Sequence, residues 1–225
     1  MKRDIFFIFI IVFFVFNIFH ISCVDINDQE LFPVKVDGKW GFINRKGKLV
    51  IKPLYDSYEA FHDGLAGVEK NGKDGFIDKN GNIIVELKYD VARTFKEGIG
   101  DLRLDDKIAY INTVGEFITD FMFDAAFPFQ EGLACVIDDK GKAGFIDNKG
   151  NIVIPYQFES FALQNAYTIY YGFSEGLAYA YTECEKCGYI NKTGKMVIPP
   201  KYDDCWSFEN GYAVVRINKN YGVID

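Results

Sequence analysis

Histidine is nearly missing from this chain: only His20 and His62 occur among 225 residues. His20 lies at the end of an apolar N-terminal run, so imidazole chemistry has one candidate in the rest of the chain. Basic clusters are missing too. A formal net charge of −7 without a run of Lys or Arg leaves no electrostatic footprint for nucleic acid or an anionic lipid surface. There is no glycine-rich phosphate loop and no stretch with the apolar spacing of an amphipathic helix. Long apolar runs are confined to residues 5–19, 15 residues broken once by Asn17. That is short of the roughly 20 that a spanning helix needs. What is present is ample apolar material: 49% of residues are hydrophobic, with 22 Phe and 14 Tyr. The chain is thus too apolar to be disordered and long enough to bury a core.

The N-terminus reads as an export signal: Lys2 and Arg3, the short apolar run, then His20-Ile21-Ser22-Cys23. Ser22-Cys23 resembles the end of a bacterial lipobox, although His20 stands where a large aliphatic residue is usual. The resemblance implies removal of residues 1–22, a lipid on Cys23 and membrane attachment without a spanning segment. An ordinary cleaved signal, giving a secreted protein, and an uncleaved anchor are the alternatives. Residues 23–30 are polar and acidic and read as a tether.

The remainder, residues 31–225, is organised by one recurring stretch. Lys39-Trp40-Gly41-Phe42-Ile43-Asn44 returns as Asp74-Gly75-Phe76-Ile77-Asp78, Ile108-Ala109-Tyr110-Ile111-Asn112, Ala143-Gly144-Phe145-Ile146-Asp147, Cys187-Gly188-Tyr189-Ile190-Asn191 and Tyr221-Gly222-Val223-Ile224-Asp225. The steps between central residues are 34, 34, 35, 44 and 34. A fixed period of this size signals a repeat architecture. Within residues 65–98, Asn71-Gly72 joins two apolar segments and predicts a type I′ hairpin. A glycine at 47, 81, 115, 150 and 194 predicts a positive-φ turn. A third, β-branched segment follows at Leu49-Val50-Ile51, Ile83-Ile84-Val85, Phe117-Ile118-Thr119, Ile152-Val153-Ile154 and Met196-Val197-Ile198, which predicts a strand. An aromatic and an acid come next, as in Tyr55-Asp56 or Tyr202-Asp203. Then a connector carries Phe61, Phe95, Phe129, Phe173 or Phe208 into an acid-Gly or Asn-Gly pair. These connectors are expected to place aromatics between repeats.

The Lys-Trp-Gly-Phe-Ile core, the Lys-x-Gly turn, the Ile-x-Pro-x-Tyr-Asp segment and the Phe-x-Glu-Gly-Leu-Ala segment together resemble the bacterial WG, or KWG, repeat family. The tryptophan survives only at position 40, so it is not a catalytic requirement of each repeat. The resemblance implies a repeat-bearing, often exported bacterial protein with no common enzymatic activity. Six hairpins and five third segments fit an all-β, open solenoid-like stack of about 34-residue repeats better than a closed propeller-like ring, which would leave one unit short.

Between Phe158 and Phe173 lie nine more residues than in the other repeats. This insertion carries Tyr167, Tyr170 and Tyr171, flat amphipathic area suited to a sugar ring or a protein. With Trp40 and Trp206 they are the candidate binding residues; the bland reading is packing on a neighbouring unit. Cys184 and Cys187 flank a hairpin turn, where a disulfide stapling the turn or two free thiols are expected, while Cys135 and Cys205 read as small buried residues. A β-turn lacks the helix N-terminus that activates a redox Cys-x-x-Cys pair. No metal or cofactor set is recognised. Asp78-Lys79-Asn80-Gly81-Asn82 has its glycine too early for a calcium loop and reads as a turn. His62 aligns with Lys96, Gln130, Ser174 and Glu209, so it is expected to face solvent. The acids recur once per unit at turns, which suits scaffolding better than an active site. The function expected is a non-catalytic, envelope-anchored scaffold for a protein or cell-wall glycan, with a glycan hydrolase using surface carboxylates as the alternative.

Overall fold

Turn chemistry sets the local structure. Asn71 and Gly72 have φ of 56° and 74°, the doubly positive pair that a type I′ turn requires, so Leu65–Lys70 and Lys73–Asp78 fold back on each other. The glycines at 47, 81, 115, 150 and 194 all have φ between 74° and 85°, as their position in the repeat predicts. Just ahead of each, an Asx side chain organises the turn. Asp78 Oδ1, for example, accepts the N–H groups of Asn80 and Asn82, both at 2.8 Å.

The computed structural model describes residues 30–160 and 172–225. They form six units. The first comprises β1 (Leu31–Val36), β2 (Lys39–Asn44) and β3 (Leu49–Tyr55). The second adds a short leading strand: β4 (Ser57–Tyr58), β5 (Leu65–Lys70), β6 (Lys73–Asp78) and β7 (Ile83–Tyr89). The third holds β8 (Val91–Lys96), β9 (Ile99–Leu104) and β10 (Lys107–Asn112). The fourth holds β11 (Ala125–Ala126), β12 (Leu133–Ile137), β13 (Lys142–Asp147) and β14 (Ile152–Glu159). The fifth holds β15 (Leu177–Tyr181), β16 (Cys187–Asn191) and β17 (Met196–Tyr202). The sixth holds β18 (Asp204–Cys205), β19 (Ala213–Ile217) and β20 (Asn220–Ile224). Every pairing is antiparallel between strands adjacent in sequence. In the second and fourth units the three-strand unit expected from the sequence therefore gains a fourth, short strand, because part of the connector pairs with the hairpin that follows it.

The apolar core is a chain of joints, in unit order. Phe42, Ile51 and Tyr55 of the first unit pack on Ala66, Val68 and Ile77 of the second. Leu65, Phe76 and Val85 pack on Ala92, Phe95 and Leu102 of the third. The same arrangement continues through Tyr110 with Phe129 and on to Tyr189 with Phe208. Each connector phenylalanine meets the aromatic of the preceding unit nearly edge-on: Phe61 on Phe42 at 5.0 Å, Phe95 on Phe76 at 4.8 Å, Phe129 on Tyr110 at 5.2 Å, Phe173 on Phe145 at 5.1 Å and Phe208 on Tyr189 at 5.0 Å. Among the described residues the series is open, with Tyr212 and Val223 of the last unit exposed.

One expected strand does not form. At Phe117-Ile118-Thr119 of the third unit only isolated bridges remain, Ile111 to Phe117 and Ile108 to Phe123. The sequence of this unit differs at the middle of the second strand. In the other complete units a glycine there faces the main chain of the third strand, which bulges across it. A Cβ built on Gly75 would lie 2.5 Å from Val85 O, one on Gly144 2.8 Å from Ile154 O, and those on Gly41 and Gly188 are also blocked by backbone. The third unit has Ala109 instead, and there the Tyr110 N–H donates to Thr119 Oγ1 at 3.0 Å.

Two polar ladders recur along the chain, the first within units and the second between them. The lysine that opens the second strand meets the acid that ends the third: Lys39 with Asp56, Lys73 with Asp90 at 2.7 Å, Lys107 with Asp124 at 2.6 Å, Lys142 with Glu159 and Lys186 with Asp203. The acid of each acid-Gly turn accepts backbone N–H groups from the next such turn. Asp63 takes Gly98 at 2.8 Å, Glu97 takes Glu131 and Gly132 at 2.7 and 2.9 Å, and Glu131 takes Glu175 and Gly176 at 2.6 and 3.0 Å. Glu175 takes Gly211 at 2.8 Å. Charge-assisted bonds of this kind are stronger than neutral ones, and they hold acids at positive φ, 49° at Asp63 and 54° at Glu97.

These ladders set an acid sensitivity. Hydrogen bonds from Lys39, Lys73 and Lys186 hold Asp56, Asp90 and Asp203 below the ordinary aspartate value. The Asn151 amide does the same for Asp147. For Glu131 partial burial pushes upward, and Lys192 with the N–H groups of Gly176 and Glu175 outweighs it. A carboxylate with a lowered native pKa contributes stability that is present above its unfolded value, about 4, and lost as pH falls through the native value. Asp74 and Asp101 run the other way, raised chiefly by burial, so acidification relieves them. The lowered group is larger, and thermal unfolding followed by circular dichroism is expected to show a plateau near neutral pH and a falling midpoint below about pH 4.

Candidate binding surface

The position that carries Trp40 in the first unit is where consecutive units touch. Trp40 stacks on Tyr58, ring centroids 4.7 Å apart, and Lys35 Nζ lies 5.2 Å over the indole. At the same place in the next unit Asp74 Oδ2 accepts the N–H of Ala92 at 3.0 Å. Ile108 and Ala126 share an apolar cluster there. Cys187 and Cys205 form a disulfide with a sequence separation of 18. Aromatic contact, hydrogen bond, apolar packing and covalent bond thus serve one joint in turn. Trp40 is half-buried in this joint, and its ring is already engaged.

The disulfide corrects the sequence expectation. Cys184 and Cys187 are not bonded to each other: Cys187 pairs with Cys205, and Cys184 is an exposed free thiol. Cys184 lies in the turn that leads into β16, whereas Cys187 faces the next unit and meets whatever stands 18 residues on. Cys205 is buried but not free. Cys135 is a free buried thiol whose pKa burial pushes up, which suits the small packing role expected of it. His62 is exposed, as expected. Tyr167, Tyr170, Tyr171 and Cys23 lie outside the described residues.

Every unit before the last is covered, on the face bearing its second-strand aromatic, by the connector of the next unit. In the sixth unit that aromatic is replaced by Val223, and no described residue covers it. A groove of about 550 Å³ opens there, lined by Tyr179, Trp206, Tyr212, Val214 and Val223 among others, a volume within the usual range of ligand sites. Tyr212 is 58%, Val223 66% and Trp206 42% exposed, and Trp206 leans on Tyr221 with ring centroids 5.9 Å apart. Of the two candidates among the described residues, Trp40 and Trp206, Trp206 is the one that lies on an open surface. Tyr212, Val214 and Val223 were missed. Their signal was available: each aligns with a residue that faces the following unit.

A second concavity, about 100 Å³, lies between the second and third units and includes Glu59, Glu69, Asp74 and Arg93. Burial raises the Asp74 pKa, with Glu69 and Glu59 adding to it against the Ala92 N–H. Arg93 is committed to the buried Asp101 at 2.7 Å. The space is well below the roughly 300 Å³ at which small-ligand pockets begin. Among the described residues, no cluster of His, Cys, Asp and Glu suits a metal ion.

Fold and surface together define a tandem β-repeat protein whose sixth unit has a face that no described residue covers. The family described as "WG containing repeat" matches residues 40–73, 75–107, 109–142, 144–181 and 188–221, and the chain belongs to it. Among solved structures, the chain is similar to Ika8, a computationally designed protein (11% identity, 82% of this chain and 64% of that one, TM-score 0.44). It is also similar to Kluyveromyces lactis Hsv2p (13% identity, 84% and 68%, TM-score 0.46). A third is BamB from Moraxella catarrhalis (8% identity, 82% and 66%, TM-score 0.41). The chain spans about two thirds of the length of each, and at these scores the likeness carries nothing about function. No curated protein matches the chain.

Proposed function

We propose that this WG repeat protein is a non-catalytic binding scaffold, exported and held at the cell envelope by a lipid on Cys23, and that it engages a protein partner through its terminal face. The observation that carries the reading is the groove of about 550 Å³ on a face that is covered in every earlier unit. Exposed apolar patches of this kind mark interaction sites. A protein fits better than a cell-wall glycan, because Val214 and Val223 offer nothing to sugar hydroxyls, while aromatic anchors beside aliphatic surface are typical of protein interfaces.

The test places a photo-crosslinking residue at Tyr212 in the envelope, with the same residue at the exposed Phe117 as control. A discrete adduct from position 212 alone is expected. Trp206→Ala with Tyr212→Ala is expected to weaken partner binding at least tenfold, an anchor-sized loss of roughly 1.4 kcal/mol or more. Its thermal stability should change by less than about 0.5 kcal/mol per site, because both side chains are exposed. Equal adducts at both positions would remove the terminal face from the proposal. A hydrolase would have its best placed carboxylates in Glu59, Glu69 and Asp74. Cell-wall clearing in a zymogram that disappears in Asp74→Asn would replace binding by catalysis.

A further inference from the structure

Three Asn-Gly pairs occur in the chain, at 71–72, 80–81 and 210–211. In such a pair the glycine nitrogen can attack the asparagine side-chain carbonyl, because glycine carries no side chain to hinder the approach and its backbone rotates freely. The structure treats the three pairs differently. Gly81 N–H donates to the Asp78 carbonyl at 3.0 Å, and the Asn80 side-chain amide reaches Asp78 Oδ2 at 3.4 Å. Gly211 N–H donates to Glu175 Oε2 at 2.8 Å. Among the described residues, neither Gly72 N–H nor the Asn71 side chain has a hydrogen-bond partner. The first and third pairs are otherwise matched. Asn71 and Gly72 have φ of 56° and 74°, Asn210 and Gly211 of 54° and 80°, and all four residues are exposed. The acceptor on the glycine nitrogen is the difference between them.

We propose that Asn71 is a modification site, where the turn closes to a succinimide that water then opens. The Gly72 nitrogen bonds to Cγ of Asn71, and the side-chain nitrogen leaves as ammonia with the proton that Gly72 gives up. Water cleaves one of the two ring bonds between nitrogen and carbonyl carbon, its hydroxyl going to carbon and its proton to nitrogen. Cleavage at Cγ leaves aspartate. Cleavage at the main-chain carbonyl leaves an isoaspartyl link, with one more carbon in the main chain. That longer chain no longer fits a two-residue type I′ turn. It also displaces the Asn71 N–H, which donates to Asp56 Oδ2 at 2.9 Å, and Asp56 is the acid that Lys39 meets at the end of the first unit. The modification therefore acts where the first unit meets the second.

The experiment incubates the full chain in detergent at mildly alkaline pH and follows each pair by peptide mass spectrometry, with fragmentation that separates the two linkages. Each rate is divided by that of the same pair in denatured chain, which removes the effect of flanking sequence. Asn71 is expected to convert at least about tenfold faster than Asn80 and Asn210 on this scale, the factor that a hydrogen bond of about 1.4 kcal/mol withholds. Part of its product should be isoaspartyl. Glu175→Ala frees Gly211 N–H and should raise Asn210 toward the Asn71 rate while Asn71 itself is unchanged. Equal relative rates at the three pairs, or an intact Asn71 while the denatured chain converts, overturns the site. An unchanged Asn210 in Glu175→Ala overturns the free glycine nitrogen as its basis.

Discussion

Truncating Phe129 to alanine is expected to lower stability by about 3–5 kcal/mol. Its ring is 1% exposed and meets Tyr110 edge-on at 5.2 Å, in the joint between the third and fourth units. The loss combines the transfer free energy of the ring, the cavity left behind and an aromatic pair worth about 0.5–1.5 kcal/mol. The shape of the transition should change as well. A repeat array is held by nearest-neighbour joints, so weakening a central one uncouples the two ends, and guanidinium unfolding should broaden or split into two steps. Phe208→Ala, at the last joint, should instead release the sixth unit and leave the main transition nearly where it was. Equal, single-step losses at both positions would show that the units do not unfold as a linear array.

Removing the disulfide is expected to cost about 3 kcal/mol, the value for closing a loop of this length in the chain-entropy account. Cys187 and Cys205 join the fifth unit to the sixth across a sequence separation of 18. Cys205→Ser, or reductant added to the wild type, should lower the denaturant midpoint by the same amount and loosen the terminal face. Cys184→Ser should change it by less than about 0.5 kcal/mol, because Cys184 is exposed and unbonded. The opposite pattern, with Cys184→Ser costly and Cys205→Ser neutral, would restore a staple across the turn.

The family resemblance and the hairpins were legible in the sequence because both rest on residues a few positions apart. Whether Asn71-Gly72 turns tightly is decided by two φ angles, and whether residue 81 needs positive φ by one. The anchor and the insertion tyrosines lie outside the described residues. The binding surface was only partly legible. Trp206 was singled out as an aromatic, but Tyr212 and Val223 look like ordinary strand residues until it is known that nothing covers them.

By itself the sequence determined the period, the turns, the strands of each hairpin and the aromatic connectors, since each follows from backbone sterics or apolar alternation within one unit. Tertiary structure decided the rest, because it depends on what stands across a joint. It paired Cys187 with Cys205 rather than Cys184, by placing residues 18 apart in contact. It reduced the third strand of the third unit to isolated bridges. It left one face of the sixth unit uncovered by any described residue.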